Sequence, residues 1–157
     1  MTEMKRRIFL KGSLAAGAVG FAVGAGLMTP RAVLAEWSTD AFSAKEIPAA
    51  LKGLYGSDTT EANDAIKIKA PDIAENGAVV PITIETEMAD VSNIALIAAE
   101  NGTPLVADFQ LSAESVPFVS TRIKMGKTGD VVAVVKAGGK LHSARKSVKV
   151  TIGGCGG

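Results

Sequence analysis

The rhythm of apolar and polar residues changes near position 64. Upstream, Phe42, Ile47, Ala50 and Leu51 fall near one stripe at helical spacing, so residues 40–51 are expected to be helical, with Thr39 or Asp40 as a cap. Pro48 should split or shorten that helix, and Gly53 and Gly56 should end it. Downstream the period becomes two. Ala65-Ile66-Lys67-Ile68-Lys69 alternates, as does Val80-Pro81-Ile82-Thr83-Ile84-Glu85-Thr86. Further strands are expected at 94–99, 104–111, 116–125, 131–136 and 147–152. Turn residues separate them at Asn76-Gly77, Asn101-Gly102-Thr103-Pro104, 126–130 and Gly138-Gly139. About seven short strands with regular turns predict an all-β domain: an immunoglobulin-like antiparallel β-sandwich preceded by a helix. The disulfide and tryptophan of antibody cores are missing, because Trp37 precedes every strand and Cys155 follows the last.

Two strands depart from alternation. Ile94-Ala95-Leu96-Ile97-Ala98-Ala99 and Val131-Val132-Ala133-Val134-Val135 are apolar on both faces. A small antiparallel sandwich keeps one face of each sheet wet and polar. The second apolar face therefore needs a cover, either the N-terminal helix or a permanent partner subunit.

The N-terminal stretch has a basic head at 5–11 and an apolar, small-residue run at 12–28, then Val33-Leu34-Ala35. That order describes an export signal, cleaved after Ala35. The apolar run is short for a spanning helix and carries several glycines, so a retained membrane anchor is the lesser alternative. Arg6-Arg7-Ile8-Phe9-Leu10-Lys11 resembles a twin-arginine signal, with Lys5 where that pattern usually has Ser or Thr. The resemblance implies export of a folded chain to a bacterial periplasm, and a Sec signal would change only the route. The chain is thus divided into a signal at 1–35, a sandwich domain with its helix at 36–152, and a segment at 153–157.

Five of the 17 basic residues and one of the 16 acidic residues precede Ala35, which leaves 12 and 15, a net charge of −3. That balance argues against nucleic acid or an anionic membrane as partner. A single histidine, His142, excludes the two-histidine copper site of a cupredoxin, and a single cysteine excludes the paired cysteines of haem attachment. Neither a metal nor another cofactor is expected. His142 is read as a surface or half-buried residue, too firmly held on the sheet to pair with Cys155 on a loose tail. No glycine-rich phosphate loop opens a helix, and one histidine assembles no convincing serine triad. Asp108, Glu114 and Asp130 are expected as solvated charges at strand ends and turns. Lys136, Lys140, Arg145, Lys146 and Lys149 cluster before the tail, as a solvated face or as a cationic apron for an anionic cargo.

The sequence closes with Gly153-Gly154-Cys155-Gly156-Gly157. A thiol flanked by residues without side chains has little to pack against, and glycine loses the most backbone freedom on ordering. The segment is therefore expected to be a flexible arm that presents one sulfur atom. Fully extended it spans roughly 17 Å, with the thiol about 10 Å beyond the last strand. Nothing within it would lower the ordinary thiol pKa of about 8.5, so activation is left to whichever enzyme receives the sulfur.

That terminus, with the export signal and the sandwich pattern, resembles the SoxY family of sulfur carriers of the bacterial thiosulfate-oxidising Sox system. The resemblance implies a protein that is not itself an enzyme and that holds its substrate covalently on Cys155. It implies a SoxZ-like partner subunit, exported together with this chain. It also implies a SoxAX-like c-type cytochrome that joins thiosulfate oxidatively to the cysteine. A SoxB-like dimanganese hydrolase then releases sulfate, and a SoxCD-like sulfur dehydrogenase acts where present.

Two other readings stay open on the residues alone. Gly156-Gly157 also suits a thiocarboxylate-type sulfur donor, although that chemistry needs ATP and the strand pattern lacks the central helix of a ubiquitin fold. An exported, non-catalytic binding module accounts for the domain and leaves the terminal pentapeptide unexplained.

Overall fold

Pro48 turns the expected N-terminal helix into two. In the computed structural model, which describes residues 38–151, helix α1 spans Thr39–Ser43 and helix α2 spans Ile47–Tyr55. The expected export signal and the segment 153–157 lie outside the described residues. Pro48 sits in the first turn of α2, where its missing N–H costs no hydrogen bond. Ser38, rather than Thr39 or Asp40, is the N-cap of α1, and its hydroxyl donates to the Gly53 carbonyl at 3.1 Å. Gly53 lies inside α2 and does not end it. A Cβ there would stand 2.9 Å from the Ala41 Cβ, so the bare glycine lets the two helices touch. Gly56 ends α2 in the left-handed conformation, φ 73°, with its N–H on the Lys52 carbonyl.

Among the described residues nine strands follow: β1 Glu61–Ala62, β2 Ile66–Lys69, β3 Ile73–Ala74, β4 Val80–Thr86, β5 Val91–Ala98, β6 Leu105–Gln110, β7 Phe118–Ile123, β8 Gly129–Ala137 and β9 Lys140–Val150. Seven answer the strands expected from alternation, and the sandwich architecture is borne out. The other two, β1 and β3, have two residues each, too short to show a period. Both run parallel to β9 and take up successive lengths of its outer edge. The larger sheet is ordered β1-β9-β8-β5-β6, and the smaller is the antiparallel trio β2-β4-β7.

Strand β9 begins well before the alternating stretch at 147. Gly138 and Gly139 both have positive φ, 55° and 80°, which suits a two-residue hairpin whose twist matches its strands. Ala137 then pairs with Lys140 and the register runs unbroken to Gly129 and Val148. The turn, rather than the side-chain pattern of 140–146, dictates where β9 starts.

The doubly apolar strands have two covers, both from this chain. Ile94, Leu96 and Ala98 of β5, with Val131, Ala133 and Val135 of β8, face the smaller sheet and its Ile82 and Ile84. Ala95, Ile97, Val132 and Val134 face the other way, against Ala41, Ala50 and Leu51 of the helices. The outer apolar face is thus the seat of α1 and α2. It carries no argument for a partner subunit.

Tyr55, the last residue of α2, fastens this layer. Its hydroxyl donates to Asp108 Oδ1 at 2.6 Å, and Asn93 Nδ2 donates to Asp108 Oδ2 at 3.1 Å. Asp108 is therefore a half-buried bonding centre on β6, not the solvated charge expected from its sequence. Burial, and then the Asp108 carboxylate, push the Tyr55 phenol well above its usual range. A raised native pKa means the contribution is whole below the unfolded value near about 10 and fades as pH rises beyond it. Tyr55→Phe is expected to cost about 1.5–3 kcal/mol at neutral pH, read from urea midpoints. It should also blunt the loss of stability above about pH 10.

Candidate functional site at the end of strand nine

The expected carrier residue, Cys155, and its flanking Gly153, Gly154, Gly156 and Gly157 lie outside the described residues. What the structure places is the mount from which that segment leaves. The end of β9 is gripped from both sides. On its outer edge the Lys149 N–H donates to the Asp72 carbonyl at 2.9 Å, and the Thr151 N–H donates to the Ala74 carbonyl at 3.0 Å. The acceptors are the residue before β3 and its last residue, and these bonds explain why two residues of parallel strand sit there. On the inner edge, the Val150 N–H donates to Thr128 Oγ1 at 2.9 Å, and the Thr128 hydroxyl donates back to the Val150 carbonyl at 3.2 Å. Val148 is buried in the inter-sheet core. A site carried on a fixed strand end is aimed more reproducibly than one on a loop.

Gly77 completes the mount. Its carbonyl accepts the Met125 N–H at 2.7 Å. A Cβ on it would collide with the Met125 carbonyl oxygen and stand 2.7 Å from Val150 Cγ1. Gly77→Ala is therefore expected to cost about 1–3 kcal/mol through overpacking. The checking measurements are the urea midpoint and faster amide exchange at Val150 and Thr151.

The basic cluster does not form one apron around the mount. Lys136 and Lys140 flank the Gly138-Gly139 turn, and Lys140 lies about 30 Å along β9 from Lys149. Lys136 Nζ sits 5.6 Å from the centre of the Tyr55 ring. Lys140 approaches Glu61 at 3.7 Å, and Lys146 pairs with Asp72 at 3.0 Å. Side chains spread along the β8–β9 hairpin, most of them with a local partner, make a solvated face. His142 is half-buried on β9, its Nδ1 3.9 Å from Glu61 Oε2, beside a bond from the Ser143 hydroxyl to Thr60 Oγ1. Among the described residues, no three His, Cys, Asp or Glu side chains gather where an ion could be held. Thr128 and Asp72, which hold the strand end, are positions that a sequence reading misses. A hydroxyl in a glycine-rich turn is the only signal Thr128 offers.

A model of the sulfur oxidation protein SoxY matches residues 51–155. The solved structure of the sulfur carrier protein SoxY from Chlorobium limicola f thiosulfatophilum is 46% identical, with a TM-score of 0.60 over 66% of this chain and 94% of that one. A superoxide reductase (neelaredoxin) from Ignicoccus hospitalis aligns with a TM-score of 0.52 over 59% of this chain and 95% of its own, at 19% identity. At that identity the likeness concerns the fold alone. No curated protein matches the chain. The family match takes in most of the chain, from α2 through the sandwich and the mount at β9, and it runs on as far as position 155. This chain belongs to the SoxY family, the sulfur carriers of the Sox thiosulfate-oxidation system.

Proposed function

We propose that the chain carries thiosulfate-derived sulfur covalently on Cys155 in the periplasm and presents it to partner enzymes. The observation that supports this most directly is the extent of the family match, which reaches Cys155 itself. The mount adds a physical reason. A segment poor in side chains, leaving a strand end held on both edges, gives the sulfur a fixed origin and a free radius.

The chemistry balances without any group of this chain other than the thiol. A SoxAX-like cytochrome removes two electrons as the Cys155 thiolate and the sulfane sulfur of thiosulfate form an S–S bond, giving a cysteine S-thiosulfonate. Water, placed by a SoxB-like hydrolase, cleaves the bond to the terminal sulfone and releases sulfate and two protons, leaving a persulfide. A SoxCD-like dehydrogenase, where present, removes six electrons as three water molecules supply the oxygens of a new terminal sulfone and shed six protons, and a second hydrolysis releases sulfate and restores the thiol. A SoxZ-like subunit completes the carrier. Residues 1–35, read as a twin-arginine-type signal, bring the folded chain to its compartment.

The test is intact mass spectrometry of the protein incubated with thiosulfate and the cognate enzymes. A thiosulfonate adduct mapped to Cys155 is expected. An unmodified Cys155 during continuing turnover overturns the reading.

A further inference from the structure

A cleft of about 650 Å³ opens at the same end of the sandwich as the mount. The β5–β6 loop supplies Glu100, Asn101, Gly102 and Thr103, the β7–β8 turn supplies Lys124, Gly126 and Lys127, and Lys45 enters from the link between α1 and α2. Asn101 holds the walls together: its Nδ2 donates to the Lys124 carbonyl at 2.8 Å, and the Gly126 N–H donates to its Oδ1 at 3.0 Å. The cleft is thus shaped before anything enters it.

Its charge is unbalanced. Lys45, Lys124 and Lys127 stand against one carboxylate, Glu100. None of the three makes an ion pair with a described residue, whereas Lys52, Lys69, Lys140 and Lys146 each have one. Three cations around a preformed recess focus a positive field on it, weakened but not abolished by physiological salt.

The cleft is also within the reach of this chain's own cysteine. Lys127 is the neighbour of Thr128, which holds Val150 from both its N–H and its carbonyl. The rim is therefore about 10 Å from the last residues of β9, whereas the four residues that follow Thr151, as far as Cys155, extend about 13 Å. A free thiol, with an ordinary pKa near about 8.5, is largely neutral at pH 7. A thiosulfonate or sulfonate on the same sulfur carries a full negative charge.

We propose that Lys45, Lys124 and Lys127 form a docking site for residues 152–157 of this same chain, occupied when Cys155 carries an anionic sulfur group and vacated when its thiol is free. The proposal deepens the carrier reading and rests on it. The cleft holds the loaded segment between enzymes and sheds the empty one, so charge on the cargo sets where the segment sits.

The experiment uses isotope-labelled protein loaded with tetrathionate. The Cys155 thiolate attacks an inner sulfur, an S–S bond forms, and thiosulfate leaves with the electron pair, giving the S-thiosulfonate. Backbone amides at 100–103 and 124–128 are expected to shift on loading, to return on reduction, and to stay still when Cys155 carries a neutral carbamidomethyl group. The triple variant Lys45→Gln, Lys124→Gln, Lys127→Gln, all exposed positions, should lose those shifts at equal loading. A silent cleft in protein shown by mass to be fully loaded overturns docking and leaves the carrier reading standing. Equal shifts from stoichiometric free thiosulfate on Cys155→Ser protein overturn it too, because the cleft would then take the anion without the tether. Failure of Cys155 to load in the cognate enzyme system is a separate result, and it counts against the carrier reading.

Discussion

Cys155→Ser is expected to bring thiosulfate-dependent oxidation in a reconstituted system down to the level measured with no carrier. The substitution changes one atom in a segment with no other side chain, so folding and subunit assembly should be untouched. What disappears is the only thiol in the protein. A serine hydroxyl does not ionise in the pH range where a thiolate forms, and sulfur–sulfur bond formation requires the thiolate. Urea midpoints of the two proteins should agree, which separates a chemical loss from an unfolded one. Full turnover by the serine variant would remove covalent carriage from consideration.

The second large effect concerns the helical layer. Ile97 is fully buried on the face of β5 that looks away from the smaller sheet, among Leu51, Leu105, Val132 and Val134. Ile97→Ala is expected to lower stability by about 2–5 kcal/mol, through lost transfer energy and the cavity left behind. Lys67→Ala, on the exposed face of β2, should stay within about 0.5 kcal/mol. Leu51 belongs to the same buried group as Ile97, so Leu51→Ala and Ile97→Ala should be non-additive, as substitutions sharing one cavity are. If instead a partner subunit were the real cover of this face, Ile97→Ala would leave the isolated chain's midpoint unchanged.

Where alternation is clean, the chain announces its own elements. Strand β4 has the bounds that period two predicts, because Val80, Ile82, Ile84 and Thr86 face the core while Pro81 and Thr83 do not. Pro48 and the Gly138-Gly139 pair work locally, through φ restrictions that act wherever the residue is placed. Gly53 misleads for the opposite reason. It is a helix breaker by propensity, yet its value lies in its contact with Ala41, and contact prevails over propensity once a tight helix pair gains from it. Asp108 is similar: no short-range pattern reveals that a tyrosine 53 residues away will bury it.

The candidate site divides along the same line. Cys155 and its glycines, the proposed carrier segment, are readable at once, since what would suit them to carriage is composition. The mount and the lysine-lined cleft are not readable. Asp72, Ala74, Thr128 and Val150 belong to three separate stretches of chain, as do Lys45, Glu100 and Lys124, and neither their proximity nor their charge balance exists before folding.

From its residues alone this protein declares a β-sandwich and a single thiol set among glycines, because alternation, breakers and composition act over a few neighbouring positions. Only the tertiary structure decided that the molecule's own helices cover its second apolar face, that β3 and Thr128 clamp the end of β9, and that three lysines converge beside it. Those outcomes are set by long-range packing, in which the free energy depends on which distant surfaces can be buried together.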